Sequence, residues 1–231
     1  MKRRVWSVLL AVFLLFLLPE RQTPGRPAQG EAQVDMPMVA LTFDDGPRTD
    51  ATARLLDGLA LREAPATFFV VGNRIAGNED LIRRMRDEGH QIGIHTFDHV
   101  EVTKLSRPDF DLQVGKTQAL LASLTGEGEF WLRPPYGKVD DSVRQWTDSP
   151  LILWSVDPED WKDHDVNRIV GHILSHVQDG DIILMHDIFN SSVDAALQAV
   201  DALQAQGYCF VTVEQLLEAR GIRPQAGELY R

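Results

Sequence analysis

Two adjacent carboxylates, Asp44 and Asp45, stand where an apolar run ends and a helical pattern begins, inside the sequence TFDDGP of residues 42–47. Adjacent carboxylates repel each other, so a fold that places both at a strand end usually neutralises them with a cation. Aspartates also cap helices, and a lone Asp-Asp-Gly would serve as a cap more often than not. The polar residues that follow the later strands decide between these two interpretations.

Two histidines four residues apart, His95 and His99, directly follow the strand-like run of residues 91–94. One carboxylate and two imidazoles form an open three-ligand site that leaves room for a bound water. We therefore predict that Asp45, His95 and His99 bind a divalent metal, and that Asp44 lies beside that water as a general base. Zinc is the first choice of metal, and the same oxygen and nitrogen ligands also suit cobalt, nickel or manganese.

A second histidine pair, His172 and His176, has the same spacing of four. It falls in the middle of a predicted helix at residues 166–177, far from the strand ends, and no carboxylate motif converges on it. We predict that this pair is structural or partly exposed and does not bind metal.

Short apolar runs alternate with amphipathic segments from residue 38 to the end of the chain. This alternation predicts parallel strands joined by helices, in an α/β barrel or a doubly wound sheet. The predicted strands are residues 38–43, 67–71, 91–94, 130–132, 151–156, 181–185 and 208–211. The predicted helices are residues 49–62, 79–88, 108–124, 140–147, 166–177, 193–206 and 213–220, with capping boxes at Ser106 and Thr212 and a cap at Asn78.

The polar motifs fall at the C-terminal ends of five of these strands. In a barrel those ends meet on one face, where barrel enzymes build their active sites. Residues that served only as caps and turns would be spread over both ends of the strands. The residues concerned are Asp44 and Asp45 after the first strand, His95 and His99 after the third, Arg133 after the fourth, Asp160 after the fifth and His186 after the sixth.

Three further side chains complete the predicted chemistry. Arg133 would pair with Asp44 and hold it ionised and oriented, and a surface ion pair is the structural alternative. His186 ends a buried run and could donate a proton to a leaving group if Asp160 raised its pKa. Taken alone, His186 would be a hydrogen-bonded core histidine, but its place among the other motifs favours the catalytic role.

Five motifs in this order resemble those of the polysaccharide deacetylase family, the NodB-homology carbohydrate esterases, over about residues 38–213. The resemblance implies one domain with a distorted (β/α)7 barrel. It also implies metal-dependent removal of acetyl groups from N-acetylated sugars, or from O-acetyl esters in some members. The motifs are Thr42-Phe43-Asp44-Asp45-Gly46, His95-Thr96-x-x-His99, Arg133-x-Pro135-Tyr136, Asp157-x-x-Asp160-Trp161 and Leu184-x-His186.

The resemblance implies roles for the remaining motif residues as well. The backbone N–H of Tyr136 would help to hold the oxyanion, and Trp161 and Leu184 would wall a pocket for the acetyl methyl group. The base, the metal ligands, the general acid and their two orienting residues carry over as named above. The sequence shows no departure from the family pattern at these positions.

The first 18 residues differ from the rest of the chain. Three basic residues at positions 2–4 precede an uncharged run at positions 5–18, which is typical of an export signal, and a short membrane anchor is the alternative. Residues 19–37 contain prolines and glycines and little apolar content, which predicts a flexible tether. The catalytic domain is then residues 38–231, and we expect it to be extracellular, periplasmic or associated with the cell envelope.

The formal net charge of the chain is −11, and because residues 1–30 hold five Lys or Arg and one Glu, residues 31–231 carry −15. Nucleic acid and anionic membrane surfaces would repel such a domain, which excludes nucleic acid as a partner. Cys209 is the only cysteine, and we expect a buried, inert thiol. We expect a monomer, with membrane association only through the N-terminal segment.

These observations predict an exported, metal-dependent N-deacetylase of amino-sugar polymers or oligomers, with peptidoglycan, chitin oligomers and exopolysaccharide as candidate substrates. An O-acetyl esterase of the xylan type is the alternative within the family. A glycoside hydrolase that uses Asp157 and Asp160 is a rival class, and it would release shorter sugars instead of acetate. An inactive carbohydrate-binding relative would lack a metal ligand or the base, and none is missing.

Overall fold

The computed structural model describes residues 36–126 and 128–231. The predicted export signal at residues 1–18 and nearly all of the predicted tether at residues 19–37 lie outside the described residues. Asp35–Arg231 form one compact unit. Within the described part of the chain we find no helix that is both long enough and apolar enough to cross a membrane.

Parallel strands form the centre of the molecule, as the alternating sequence pattern predicts. The strands are β1 (Met38–Asp44), β2 (Thr67–Val70), β3 (Gln91–Ile94), β4 (Leu151–Ile152), β5 (Ile182–His186), β6 (Cys209–Val211) and β7 (Leu229–Tyr230). Neighbours in the main sheet run in the order β3-β2-β1-β5, and β6 pairs with the first residues of β1. β4 and β7 pair with each other.

Single parallel bridges extend this sheet around a ring. They join Ile94 at the end of β3 to Leu132, Leu132 to Leu151 in β4, and Val156 to Ile183 in β5. Neighbour contacts therefore pass from β3 through Leu132 and the segment that begins with β4 to β5, which lies beside β1. The prediction of an α/β fold with parallel strands is confirmed, and the ring is consistent with a distorted (β/α)7 barrel.

Two predicted strands are shorter than the sequence suggests. Only a single bridge forms in the strand predicted at residues 130–132, and the strand predicted at residues 151–156 is interrupted after Ile152. At this point of the chain the guanidinium of Arg133 donates to the carbonyls of Ile152 and Leu153. The sequence does not predict β7, since two residues are too few to show a periodic pattern.

The helices begin and end within a few residues of the predicted positions. Thr212 forms the predicted capping box with Gln215 at the start of the last helix. Asn78 takes the N-cap position of α2 as predicted, but its side chain makes no capping hydrogen bond and instead accepts from the Thr49 hydroxyl and donates to the Arg74 carbonyl. The helices are α1 (Thr49–Ala60), α2 (Glu79–Asp87), α3 (Arg107–Thr125), α4 (Asp141–Trp146), α5 (Val166–His176), α6 (Asn190–Ala205) and α7 (Val213–Ala219).

β1 is a buried strand with neighbouring strands along both edges. Its residues from Val39 to Asp44 are all buried, and the Phe43 ring stacks on Phe68 of β2 with 5.3 Å between the ring centres. Strands pair with β1 along both edges, β5 on one side and β2 and β6 on the other. Because the core fixes this strand on every side, it also fixes the backbone at its C-terminal end, where the carboxylates lie.

Candidate active site

The C-terminal ends of three strands bring the predicted polar residues together. β1 ends at Asp44 and β5 ends at His186, and the parallel register pairs these two residues directly. His95 follows β3, and its backbone N–H donates to the carbonyl of Val70 at the end of β2. Arg133 follows the Leu132 bridge, and its carbonyl accepts from the His95 ring. The candidate site is therefore assembled from segments that are far apart in the sequence.

Asp45, His95 and His99 form a group that could hold a metal ion. Asp45 Oδ1 lies 3.2 Å from His99 Nε2 and 3.6 Å from His95 Nε2, and the three ligand atoms lie within 4.8 Å of one another. Among the described residues, Asp45 Oδ1 is buried without a hydrogen-bond partner. A buried carboxylate oxygen without a partner is costly unless a cation neutralises it, so this donor set fits a divalent metal.

The backbone around these ligands is strained. Asp45, Thr96 and His99 have φ angles of 75°, 62° and 54°, in the left-handed region that costs a non-glycine residue on the order of 1–3 kcal/mol. Tertiary hydrogen bonds hold these turns: the Arg74 guanidinium donates to the Asp45 carbonyl at 2.6 Å, and the Gly72 N–H donates to the Thr96 carbonyl at 3.0 Å. The fold therefore stabilises ligand turns that the local sequence would not adopt alone.

His95 is prepared for metal binding by its second nitrogen. Its Nδ1 lies 2.6 Å from the carbonyl oxygen of Arg133, and because a carbonyl only accepts, Nδ1 carries the hydrogen and leaves the Nε2 lone pair free. Burial lowers the pKa of His95, against the opposing charges of Asp44 and Asp45. The imidazole is therefore neutral, which is the form that binds metals.

Arg133 and Asp44 form a buried ion pair. The Arg133 side chain is fully buried, and its Nη1 donates to Asp44 Oδ1 and to the hydroxyl of Thr42, both at 2.7 Å. Its other donors reach backbone carbonyls, and the guanidinium carbon lies 4.0 Å from the centre of the Phe69 ring. The second oxygen of Asp44 faces His95 Nε2 at 3.6 Å. This geometry directs one carboxylate oxygen of Asp44 towards the candidate metal group.

His186 and Asp160 form the second buried pair. His186 Nδ1 lies 2.8 Å from one oxygen of the fully buried Asp160 carboxylate, and the His186 backbone N–H donates to the other oxygen at 2.9 Å. Burial acts to lower the pKa of His186, but the hydrogen bond and charge of Asp160, with the charges of Asp44 and Asp45, outweigh it and raise that pKa to about 9. At neutral pH His186 is therefore an imidazolium whose Nε2 can donate a proton.

The three predicted pocket residues differ in exposure. Tyr136 has a φ angle of 63°, and its ring lies edge-on to His99 with 4.9 Å between the ring centres, so its backbone is held next to a candidate ligand. The Tyr136 and Trp161 side chains are 61% and 51% exposed, and Leu184 is buried in β5. Tyr136 and Trp161 thus present aromatic surface to solvent on loops that also carry site residues.

His172 and His176 lie outside the candidate metal group. Their rings stack on each other along α5 with 4.1 Å between their centres, and His176 Nδ1 lies 2.8 Å from the carbonyl of His172. Among the described residues, neither histidine belongs to a cluster of three or more metal-binding side chains. His172 is half-buried and His176 is exposed.

Asp187 is a candidate functional residue that the sequence analysis missed. It follows His186 directly, is almost fully buried, and contacts the turn that carries Asp45 through Gly46. Burial raises the pKa of Asp187 to about 7, and the charge of Asp45 contributes to that rise. One feature of the sequence could have identified Asp187: it is a carboxylate directly after His186, the predicted general acid, at a strand end. The family motif Leu184-x-His186 ends before this residue.

Comparisons with known proteins agree with this geometry. A family model described as polysaccharide deacetylase matches residues 31–149. The peptidoglycan-N-acetylmuramic acid deacetylase PdaC of Bacillus subtilis is 37% identical over 202 residues, which cover 87% of this chain and 43% of that protein. The chain spans less than half the length of the curated relatives that it matches first.

Two solved structures are similar over most of this chain. A structure described as T48 deacetylase with substrate has a TM-score of 0.81 and 43% identity, and the match covers 85% of this chain and 97% of that one. A family 4 acetyl xylan esterase from Clostridium thermocellum, in complex with a cobalt ion, has a TM-score of 0.80 and 30% identity, with coverage of 84% and 97%.

The geometry predicts different metal affinities for the two adjacent aspartates. Asp45→Ala should lose bound zinc because it removes the unpartnered oxygen, whereas Asp44→Asn should retain zinc because Asp44 pairs with Arg133. Metal content after zinc loading and dialysis measures both. The matched control is His172→Ala with His176→Ala, which should bind zinc like the unmodified protein. Loss of zinc in that double variant, or in Asp44→Asn but not in Asp45→Ala, would contradict the assignment.

A second prediction concerns the imidazolium. In the metal-free protein, an NMR pH titration of His186 should give a pKa of about 9. Asp160→Asn removes the charge that opposes burial, so the pKa should fall towards or below the ordinary value of a histidine, about 6.5. Asp163→Asn is the control, because Asp163 lies on the same loop but pairs with Arg168 at 2.7 Å. A His186 pKa that is the same in both variants would show that Asp160 does not set it.

Proposed function

The chain belongs to the polysaccharide deacetylase family, and from this premise we propose that it is a metal-dependent hydrolase that removes N-acetyl groups from amino-sugar polysaccharides or oligosaccharides. One observation carries the proposal: Asp44 and His186 are paired across adjacent strands, beside the three candidate metal ligands. A base and an acid on either side of a metal-binding group are what the hydrolysis of an acetamide requires.

Asp45, His95 and His99 would hold the metal, and zinc is our first choice because three mixed nitrogen and oxygen ligands with an open position suit it. When bound, the metal supplies a Lewis acid that polarises the acetyl carbonyl and makes water more acidic. The relative with a cobalt ion supports cobalt as a metal that such a site accepts. Nickel and manganese are compatible with the same ligands.

Asp44 would act as the general base. Its Oδ1 is fixed by Arg133, and its Oδ2 faces His95 and the candidate metal group, where the attacking water must lie. The Oδ2 atom accepts a proton from that water as the water attacks the acetyl carbonyl carbon. Arg133 is fully buried and makes hydrogen bonds to four different residues, so it holds the carboxylate in one orientation throughout this step.

His186 would act as the general acid. Its Nδ1 is engaged by Asp160, which leaves Nε2 to donate a proton to the departing sugar nitrogen when the carbon–nitrogen bond breaks. The raised pKa keeps the imidazole protonated at neutral pH, as an acid requires before the reaction begins. An amine leaves only when protonated, so this proton is essential for an amide substrate.

Tyr136 would contribute its backbone N–H to the oxyanion that develops on the acetyl oxygen. The edge-on contact of its ring with His99 places Tyr136 beside a candidate metal ligand. Trp161, on the loop after Asp160, and Leu184, two residues before His186, would wall the pocket for the acetyl methyl group. The exposed rings of Tyr136 and Trp161 are also suited to stack against sugar rings of the polymer.

The rival activity, glycoside hydrolysis by Asp157 and Asp160, has little structural support. Both oxygens of the Asp160 carboxylate are engaged by His186, and Asp160 is fully buried. One oxygen of Asp157 accepts from the Glu159 N–H, which closes a turn. Neither carboxylate is placed to act on opposite sides of a glycosidic bond.

Peptidoglycan is the first substrate to test, because the relative from Bacillus subtilis is named as a peptidoglycan deacetylase. Chitin oligomers and exopolysaccharides contain the same acetamide group. An O-acetyl esterase is the second candidate, because an acetyl xylan esterase matches most of the chain with a TM-score of 0.80. The same base and metal ligands serve an ester, which has the better leaving group.

We also propose that the enzyme acts outside the cytoplasm as a monomer. Residues 1–18 would direct export or anchor the chain, residues 19–37 would form the tether, and residues 38–231 would form the catalytic domain. A cell-envelope location agrees with a peptidoglycan substrate. The net charge of −15 on residues 31–231 argues against nucleic acid as a partner.

The proposed function predicts the product. Incubation with peptidoglycan, chitin oligomers, an acetylated exopolysaccharide and acetylated xylan should release acetate from at least one amino-sugar polymer without shortening the chain. Chelation should abolish the release, and added zinc or cobalt should restore it. Asp44→Asn should keep its metal and lose about 10² to 10⁴ in rate, the usual contribution of a positioned acid or base. Shorter sugars without acetate, or full activity in metal-free enzyme, would contradict the proposal.

The proposed acid predicts a difference between substrates. His186→Ala should reduce amide hydrolysis by about 10² to 10⁴, because the amine departs only with a proton. It should reduce hydrolysis of an activated acetate ester much less, because a phenolate leaves without one. The ratio of kcat/KM for the two substrates is the measurement, and Asp44→Asn, which should slow both, is the control. Equal losses in His186→Ala would mean that His186 positions the substrate or the oxyanion instead.

A further inference from the structure

The carboxyl group of Asp187 occupies the space beside Gly46 where a side chain would lie. A Cβ atom built on Gly46 would overlap both carboxylate oxygens and the carboxyl carbon of Asp187, and these are its three nearest atoms. Gly46 does not have a left-handed backbone, so its conformation alone would accept an alanine. The close packing of a buried carboxyl group against Gly46 is therefore what restricts this position to glycine.

A hydrogen-bonded chain fixes the Asp187 side chain in this place. The Thr52 hydroxyl in α1 donates to Asp187 Oδ2 at 2.5 Å and accepts from the Arg48 N–H at 2.8 Å. The Asp187 backbone N–H is 3.4 Å from the Asp44 carbonyl, to which it donates. Through these contacts the end of β5 is joined to both ends of the turn formed by residues 45–48.

That turn carries the candidate metal ligand with the strained backbone. On its other side, the Arg74 guanidinium donates to the Asp45 carbonyl and the Val71 N–H donates to the Gly46 carbonyl at 3.0 Å. The turn is thus held between the residues that follow β2 and the end of β5. A strained conformation persists only when its surroundings hold it from more than one direction.

We propose that Asp187 is a positioning residue, which holds the turn of residues 45–48 against the end of β5 and so sets Asp45 Oδ1 at the metal site. Asp187 is not one of the three residues of the metal-binding group, and its carboxyl group packs against Gly46. The Asp187 side chain holds the turn by packing against Gly46, and the hydrogen bond from Thr52 keeps the side chain in this position. The inference rests on the metal site of the proposed function and adds a residue outside the motif assignments.

Zinc affinity in the full chain tests the proposal without measuring activity. Asp187→Ala should raise the zinc Kd by about 10- to 100-fold, the usual effect of removing a group that orients a ligand. Asp187→Asn keeps the shape and an acceptor for Thr52, so its Kd should stay within about 3-fold of the unmodified protein. Ser192→Ala is the matched control, because its buried hydroxyl has no partner among the described residues, and its Kd should not change.

Substitutions of Thr52, the hydrogen-bond partner of Asp187, give an independent test that leaves Asp187 unchanged. Thr52→Val removes the donor to Asp187 and should raise the zinc Kd, while Thr52→Ser restores the hydroxyl and should restore the Kd. Thermal unfolding of each metal-free variant shows whether it is folded. If Asp187→Ala does not fold, the comparison of Thr52→Val with Thr52→Ser decides the proposal.

Substitution of Gly46 gives the most specific test of the contact between Gly46 and Asp187. Gly46→Ala should raise the zinc Kd because its methyl group overlaps the Asp187 carboxyl. In Gly46→Ala with Asp187→Ala the methyl fills the space that the carboxyl vacates, so the Kd should be lower than in Gly46→Ala alone. Additive losses in this double variant would overturn the proposed contact.

Two results would overturn the proposal as a whole: folded Asp187→Ala that binds zinc as tightly as the unmodified protein, or Asp187→Asn that loses as much affinity as Asp187→Ala. The second result would mean that charge, and not shape, is what Asp187 supplies.

The proposed function can fail independently of this positioning role. If the zinc affinities follow the expected order but no polymer releases acetate, the positioning role stands and the deacetylase activity does not. If acetate is released and the Asp187→Ala affinity is unchanged, only the positioning role fails.

Discussion

The buried guanidinium of Arg133 is the interaction on which the rest of this site depends. A buried cation costs several kcal/mol unless a counter-charge and hydrogen bonds compensate it. Here Asp44, Thr42, the carbonyl of Ile152 at the end of β4 and the carbonyl of Leu153 accept from it, and the carbonyl of Arg133 itself orients His95. One residue therefore joins β1, the loop after β3 and the segment after β4. The same contacts lie where β4 ends.

The turn at Asp45 shows the same relation between stability and function on the other side of β1. The positive φ angle at Asp45 disfavours the folded state locally. Compensation comes from Arg74 after β2 and from the packing of Asp187 against Gly46. A turn held from two strands cannot relax when its carboxylate lacks a partner, and for this reason Asp45 Oδ1 stays directed at the two histidines.

The sequence predicts those parts of the molecule that depend on local pattern. Helix positions and the parallel β/α order follow from periodicity, and the grouping of Asp44, His95 and His186 on one face follows from their places after strands. What the sequence does not predict depends on tertiary hydrogen bonds. Arg133 donates to the carbonyl of Ile152 where β4 ends, Thr49 donates to the side chain of Asn78, and the proposed role of Asp187 depends on the absence of a side chain at Gly46. None of these partners is near in the sequence.

The register of β1 and β5 brings the proposed acid and the proposed base into one site. Asp44 and His186 are paired residues on adjacent parallel strands, so sheet geometry fixes the distance between their backbones. The hydrogen bond and charge of Asp160 and the negative charges of Asp44 and Asp45 raise the pKa of His186, so the carboxylate proposed as the base also helps to keep the proposed acid protonated. The exposed rings of Tyr136 and Trp161 lie on loops after the strands, where replacements need not disturb the buried pairs. Under the proposed function, substrate choice would therefore depend on those loops, while the sheet holds the proposed acid and the proposed base in place.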